Sequence, residues 1–239
     1  MTERNDGLVQ TFLARADEVF GAGYSAVLYG SAARSDFLPG RSDLNLMLVA
    51  ERLDPGLLRA IGPAMGQWER ERLGPPQLIT RAEWECASDV FPIEITDIRA
   101  GYQVLRGEDP IVGQQVRAVD LRRALEGELR GKLLRLRADY ALYAGRPDLL
   151  AAVVGASVGS LRVLLRGVLA LAGRPPAPDD QALAHAISRV CDCQAAPITE
   201  LLAHRRDSAW QCPPSLFESY LAIVAQATHF VDHAHPGEY

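Results

Sequence analysis

The chain has 239 residues, 48% hydrophobic and 23% charged, with a formal net charge of −5 at pH 7. That balance is expected of a soluble globular protein of one or two domains with ample material for a core. It excludes a protein built to coat nucleic acid. No run of 18 uninterrupted apolar residues occurs and the N-terminal MTERNDG is polar, so neither a membrane span nor a secretory signal is expected. Four cysteines, Cys86, Cys191, Cys193 and Cys212, are too few for a disulfide framework, and a cytoplasmic protein is the expectation.

Apolar residues Leu8, Phe12, Leu13, Ala16 and Val19 recur at helical spacing and predict a helix over 8–20, stopped by Gly21-Ala22-Gly23. A first strand follows at 24–30, then a Gly30-Ser31 turn, then a second strand at 43–49 after Pro39-Gly40. Asp54-Pro55 opens a helix with a capping carboxylate and proline in its first turn. That helix runs to about Leu73 with Leu57, Leu58, Ile61, Met65 and Trp68 on its apolar side. A third strand over 77–80 runs into Thr80-x-x-Glu83, which has capping-box spacing. Phe91 to Ile98 predicts a fourth strand, with Pro92 at its start where a missing donor is tolerated, and 102–105 predicts a fifth.

Beyond Val116 the alternation gives way to helical periodicity, with helices predicted at 114–144, 147–172, 179–192, 197–205 and 214–233. The expected class is α+β. A mixed sheet flanked by helices over residues 1–110 is followed by an all-α domain, an antiparallel bundle, over 111–239.

The stretch with the most chemistry lies between the first two strands. A glycine after an apolar strand lets backbone amides approach a phosphate, and Ser31 adds a hydroxyl donor there. Asp43 and Asn45, two apart on a strand, share a face, where Mg²⁺ would be held against that phosphate.

Tyr29-Gly30-Ser31-Ala32, Ser42-Asp43-Leu44-Asn45 and Pro92-Ile93-Glu94-Ile95-Thr96 resemble the motifs of the polymerase-beta-type nucleotidyltransferase superfamily. The likeness is closest to the aminoglycoside (streptomycin/spectinomycin-type) adenylyltransferases, and covers roughly residues 24–100. It implies a nucleotidyltransferase-like N-terminal domain that moves a nucleoside monophosphate from an NTP, ATP foremost, to a hydroxyl of a small molecule. By the same resemblance Gly30, Ser31, Arg34, Arg41 and Ser42 would bind the nucleotide. Asp43, Asn45 and Glu94 would hold one or two Mg²⁺ ions, and Glu94 would serve as general base. Asn45 departs from the family pattern, which has Asp or Glu there. An amide oxygen carries no charge and binds Mg²⁺ more weakly. The alternative is therefore a degenerate nucleotidyltransferase fold that acts as a nucleotide-binding or regulatory module. A homo-oligomer is compatible with either.

Three further features have structural readings. Arg117, Arg122, Arg123, Arg130, Lys132, Arg135 and Arg137 read as a solvated basic face with ion pairs, or as a wall facing the triphosphate. His229 and His233 are spaced i,i+4 on the last helix, a spacing that can bind a metal, although no glutamate follows the first His as in a metalloprotease, and cations near a helix C-terminus are favourable in any case. Cys191-x-Cys193 lacks zinc-ligand spacing.

Overall fold

The structure, a computed structural model, describes residues 3–33, 44–71, 73–204 and 209–234. The chain divides into two compact units: residues 1–90 with 97–115, and residues 91–96 with 116–239.

The first unit holds a four-stranded mixed sheet. Its strands β1 (Tyr24–Tyr29), β2 (Asn45–Ala50), β3 (Gln77–Thr80) and β4 (Tyr102–Arg106) lie in the order β3-β2-β1-β4. β1 runs antiparallel to β2 and β4, and β3 runs parallel to β2. Helices α1 (Glu3–Phe20) and α2 (Pro55–Arg70) pack against each other. Val9, Phe12, Leu13 and Ala16 of α1 join Ile61, Ala64 and Trp68 of α2 and Ala26, Leu28, Leu46 and Leu48 of the strands in one core. Phe12 meets Trp68 edge to face, with ring centroids 6.0 Å apart. Val27, Met47 and Val49, on the opposite side of the same strands, are buried as well.

Both predicted helix starts in this unit form as read. Asp54 accepts hydrogen bonds from the amides of Gly56 and Leu57 at 2.9 and 3.1 Å. At α3 (Arg81–Glu85) the capping box closes in both directions. The Glu83 amide donates to Thr80 Oγ1 at 3.2 Å and the Thr80 amide donates to Glu83 Oε2 at 2.8 Å.

The expected strand over Phe91–Ile98 is instead a helix, α4 (Pro92–Arg99). Pro92, Ile95 and Ile98 are buried, and their i,i+3 spacing is helical; on a strand Ile98 would face away from Ile93 and Ile95. Pro92 sits at the first helical position, where its missing donor is harmless. Glu94 in the first turn and Arg99 in the last suit the helix dipole. The Thr96 hydroxyl bonds back to the Pro92 carbonyl at 2.6 Å, a local partner that a strand would not supply.

The second unit carries α5 (Ala118–Tyr143), α6 (Pro147–Leu171), α7 (Asp180–Val190), α8 (Ala195–Ala203) and α9 (Pro214–His233). Each falls within a helix predicted from periodicity or within two residues of it. α5 packs antiparallel on α6 and on α9. Lys132 reaches Ser157 and Ser160, Arg122 reaches the carbonyls of Asp232 and Ala234, and Tyr140 reaches Glu218. By length and composition α6 would pass for a membrane-crossing helix. Val154, Val158, Leu161 and Leu165 on it belong to the core of this unit, with Leu125, Leu129, Phe217, Tyr220 and Ile187. A β-carbon on Gly167 would lie 2.8 Å from Leu125 Cδ2, so the glycine permits a close approach of α6 to α5.

Candidate functional site

Register brings the parts of the first motif together. β1 ends at Tyr29, paired with Asn45 of β2 on one side and Tyr102 of β4 on the other. Gly30 follows at φ +75°, the left-handed region, and begins a 3-10 turn over Gly30–Ala32. The Ala33 amide closes that turn on the Gly30 carbonyl at 3.2 Å. A β-carbon on Gly30 would lie 2.6 Å from Asn45 Nδ2, so the amide of Asn45 covers the glycine directly. The backbone angle favours glycine at position 30, and a β-carbon there would also force the Asn45 amide to shift.

Asn45 reaches this place because of strand period. Leu44 and Leu46 point into the core shared with α1 and α2, so the half-buried Asn45 takes the opposite side. The segment between the two strands is where Arg34, Arg41, Ser42 and Asp43 fall, and these lie outside the described residues; so does the side chain of Ser31. Glu94 is exposed in the first turn of α4, in the second compact unit, and not among isoleucines on a strand. Of the predicted site residues, then, Gly30 and Asn45 are the pair in contact among the described residues.

Tyr102 also belongs to this row. Its hydroxyl donates to Asp109 Oδ2 at 2.9 Å, which raises its pKa, while Asp109 Oδ1 accepts from the Ile111 amide at 2.8 Å. The sequence shows Tyr102 as the first residue of a strand, but only the β1–β4 register aligns it with Tyr29.

The donor chemistry suits one hard cation better than two. Asn45 offers a neutral amide oxygen and Asp43 a carboxylate, both oxygen donors of the kind Mg²⁺ takes, but the pair carries a single negative charge. Among the described residues no three His, Cys, Asp or Glu side chains form a group that could hold a metal ion.

The basic residues of α5 divide by environment. Arg117 pairs with Asp120 at 2.6 Å; Arg122 and Arg130 both reach Glu126 at 3.2 Å, and Arg130 also meets Asp232 at 2.6 Å. These are the ion pairs of a helix face. Lys132 departs from that reading. It is buried, with Nζ donating to the Ser157 carbonyl at 2.9 Å and to Ser160 Oγ at 2.8 Å. Burial, and secondarily the charge of Arg135, pushes its pKa down to about 8. The cysteines are free thiols. Burial pushes Cys191 up to about 12 and Cys212 up to about 11, which suppresses the reactive thiolate.

No family model matches the sequence, and none of the curated proteins does. Among solved structures, the chain is similar to the crystal structure of spectinomycin adenyltransferase AAD(9) from Enterococcus faecialis with ATP and spectinomycin. The TM-score is 0.55 at 13% identity, covering 97% of this chain and 100% of that one. At such identity the likeness is one of fold. The chain has the nucleotidyltransferase-like α+β architecture with C-terminal helices, as the motifs implied.

Proposed function

We propose that this chain, having the fold of an adenylyltransferase, is a nucleotidyltransferase that moves a nucleoside monophosphate from ATP to a hydroxyl of a small molecule. The observation that carries the reading is the contact of Asn45 with Gly30. It sets the first residue of β2 against the glycine turn that ends β1. A bare strand-to-helix turn does not require a polar side chain there. The spectinomycin complex of the similar structure makes a hydroxylated aminocyclitol the first acceptor to try.

In the proposed reaction the acceptor oxygen attacks the α-phosphorus, the bond to the β-phosphate bridging oxygen breaks, and pyrophosphate leaves. The acceptor proton passes to a carboxylate. The amides of the Gly30–Ser31 turn, with Ser31, Arg34, Arg41 and Ser42, would bind and orient the triphosphate. Asp43 and Asn45 would hold a Mg²⁺ ion, which when bound supplies positive charge beside the triphosphate. ATP as donor agrees with the cytoplasmic setting expected from the sequence.

Asn45 favours a second reading, a nucleotide-binding module with little turnover. Losing one anionic ligand beside a dication costs several kcal/mol, or roughly 10²–10⁴ in rate. α-Labelled ATP separates the two. Transfer of label to spectinomycin or another hydroxylated acceptor, lost in Asp43→Ala and raised in Asn45→Asp, supports the enzyme. ATP binding without transfer in wild type and in Asn45→Asp supports the module. ATP binding indifferent to Asp43→Ala and to Mg²⁺ overturns both.

A further inference from the structure

The geometry points to a transition-metal site on α9, formed by His229 and His233. Both imidazoles are exposed, one helical turn apart. Their ring centroids are 4.2 Å apart, with the planes inclined at 45°. His233 Nδ1 lies 2.8 Å from the His229 carbonyl oxygen. A carbonyl can only accept, so Nδ1 carries the hydrogen and the neutral ring keeps its lone pair on Nε2. A backbone carbonyl holding one ring nitrogen while the other stays open is how metal-binding histidines are oriented.

The spacing agrees with shared ligation. Two imidazoles on one Zn²⁺, each with a Zn–N bond of about 2.0–2.1 Å, place their ring centres about 5 Å apart. The pair needs to open by about 1 Å, within the reach of small side-chain rotations at exposed positions. Imidazole nitrogen selects Zn²⁺, Ni²⁺ or Cu²⁺ over the hard Mg²⁺, and water completes the coordination. Asp232, between the two histidines in sequence, meets Arg130 through Oδ2 at 2.6 Å and has its Oδ1 buried, so the exposed donors are the two imidazoles. His185 on α7 supplies the contrast. Its Nδ1 lies 2.9 Å from the Gln181 carbonyl, the same orientation, but the residue four positions on is Arg189.

The test is a calorimetric titration of the chelator-treated full chain with Zn²⁺ alone, repeated with millimolar Mg²⁺ present. One equivalent of Zn²⁺ is expected, indifferent to Mg²⁺. His229→Gln and His233→Gln should each weaken it by at least about tenfold, while His185→Gln leaves it unchanged. Circular dichroism of each variant separates loss of the site from loss of the helix. No Zn²⁺ binding by the wild type overturns the assignment, as does binding that survives both α9 substitutions in folded protein.

Discussion

The side chain of Asn45 occupies the space where residue 30 would carry a β-carbon, with Nδ2 2.6 Å from that point. Two separate demands meet at Gly30, and they can be told apart by substitution. A non-glycine residue at φ +75° costs about 1–2 kcal/mol on its own, and the overlap with Asn45 adds to it. Gly30→Ala is therefore expected to lower stability by more than about 2 kcal/mol in urea unfolding. Asn45→Ala removes the overlap and leaves the angle, so the double variant should recover part of the loss and no more. Strict additivity of the two single changes would show that the contact does not exist.

The capping box at α3 gives a smaller and cleaner expectation. Thr80 Oγ1 takes the Glu83 amide and Glu83 takes the Thr80 amide in return. The Thr80 amide and hydroxyl both donate to Glu83 Oε2 and hold that carboxyl below its usual pKa. Thr80→Ala removes the side-chain half of the exchange and should cost about 1 kcal/mol, with Thr80→Ser nearly neutral. An alanine variant as stable as wild type in denaturant would mean the box contributes nothing.

These caps were readable because they are local: Asp54-Pro55 and Thr80-x-x-Glu83 each state a helix start within four residues. The helices of the second unit were readable for a related reason, since periodicity over twenty residues leaves little room for another reading. Phe91–Ile98 was short and β-branched, and alternation at Ile93 and Ile95 suited a strand as well as a helix. The position of Ile98, together with Pro92, carried the signal that decides it. Register was out of reach altogether. Nothing in the spacing of positions 29, 45 and 102 says that they align, and that alignment is what brings Asn45 onto Gly30. Lys132 was hidden for the opposite reason, because the charged residues around it in sequence mask a position that faces α6.

Lys132 makes stability depend on pH in a defined window. Its pKa is about 8 in the folded chain against the ordinary lysine value of 10.5, so between those values the unfolded chain binds more protons. Stability from this group therefore rises with pH from about 8 to 10.5 and is lowest below 8, where a charged ammonium must stay buried. Other groups titrate nearby, so the comparison is with Lys132→Met. The stability of that variant relative to wild type should be highest below pH 8 and fall by up to about 3 kcal/mol towards pH 10.5. A difference between the two that stays flat across this range would contradict the buried, destabilised charge.

Thiol accessibility tests the burial of the second unit without any assumption about function. Cys86 is exposed, whereas Cys191 and Cys212 are buried and Cys193 is half-buried. Burial raises the pKa of all three of the latter thiols, most at Cys191. Since the thiolate is the reacting species, native protein at pH 8 should show one fast equivalent with an aromatic disulfide reagent. Cys86→Ser should abolish that fast phase, and the remaining thiols should react at the rate of local or global opening. Their rates should then climb together as urea approaches the unfolding midpoint. A fast phase that persists in Cys86→Ser would place a second thiol at the surface and contradict the burial of the cysteines in the second unit.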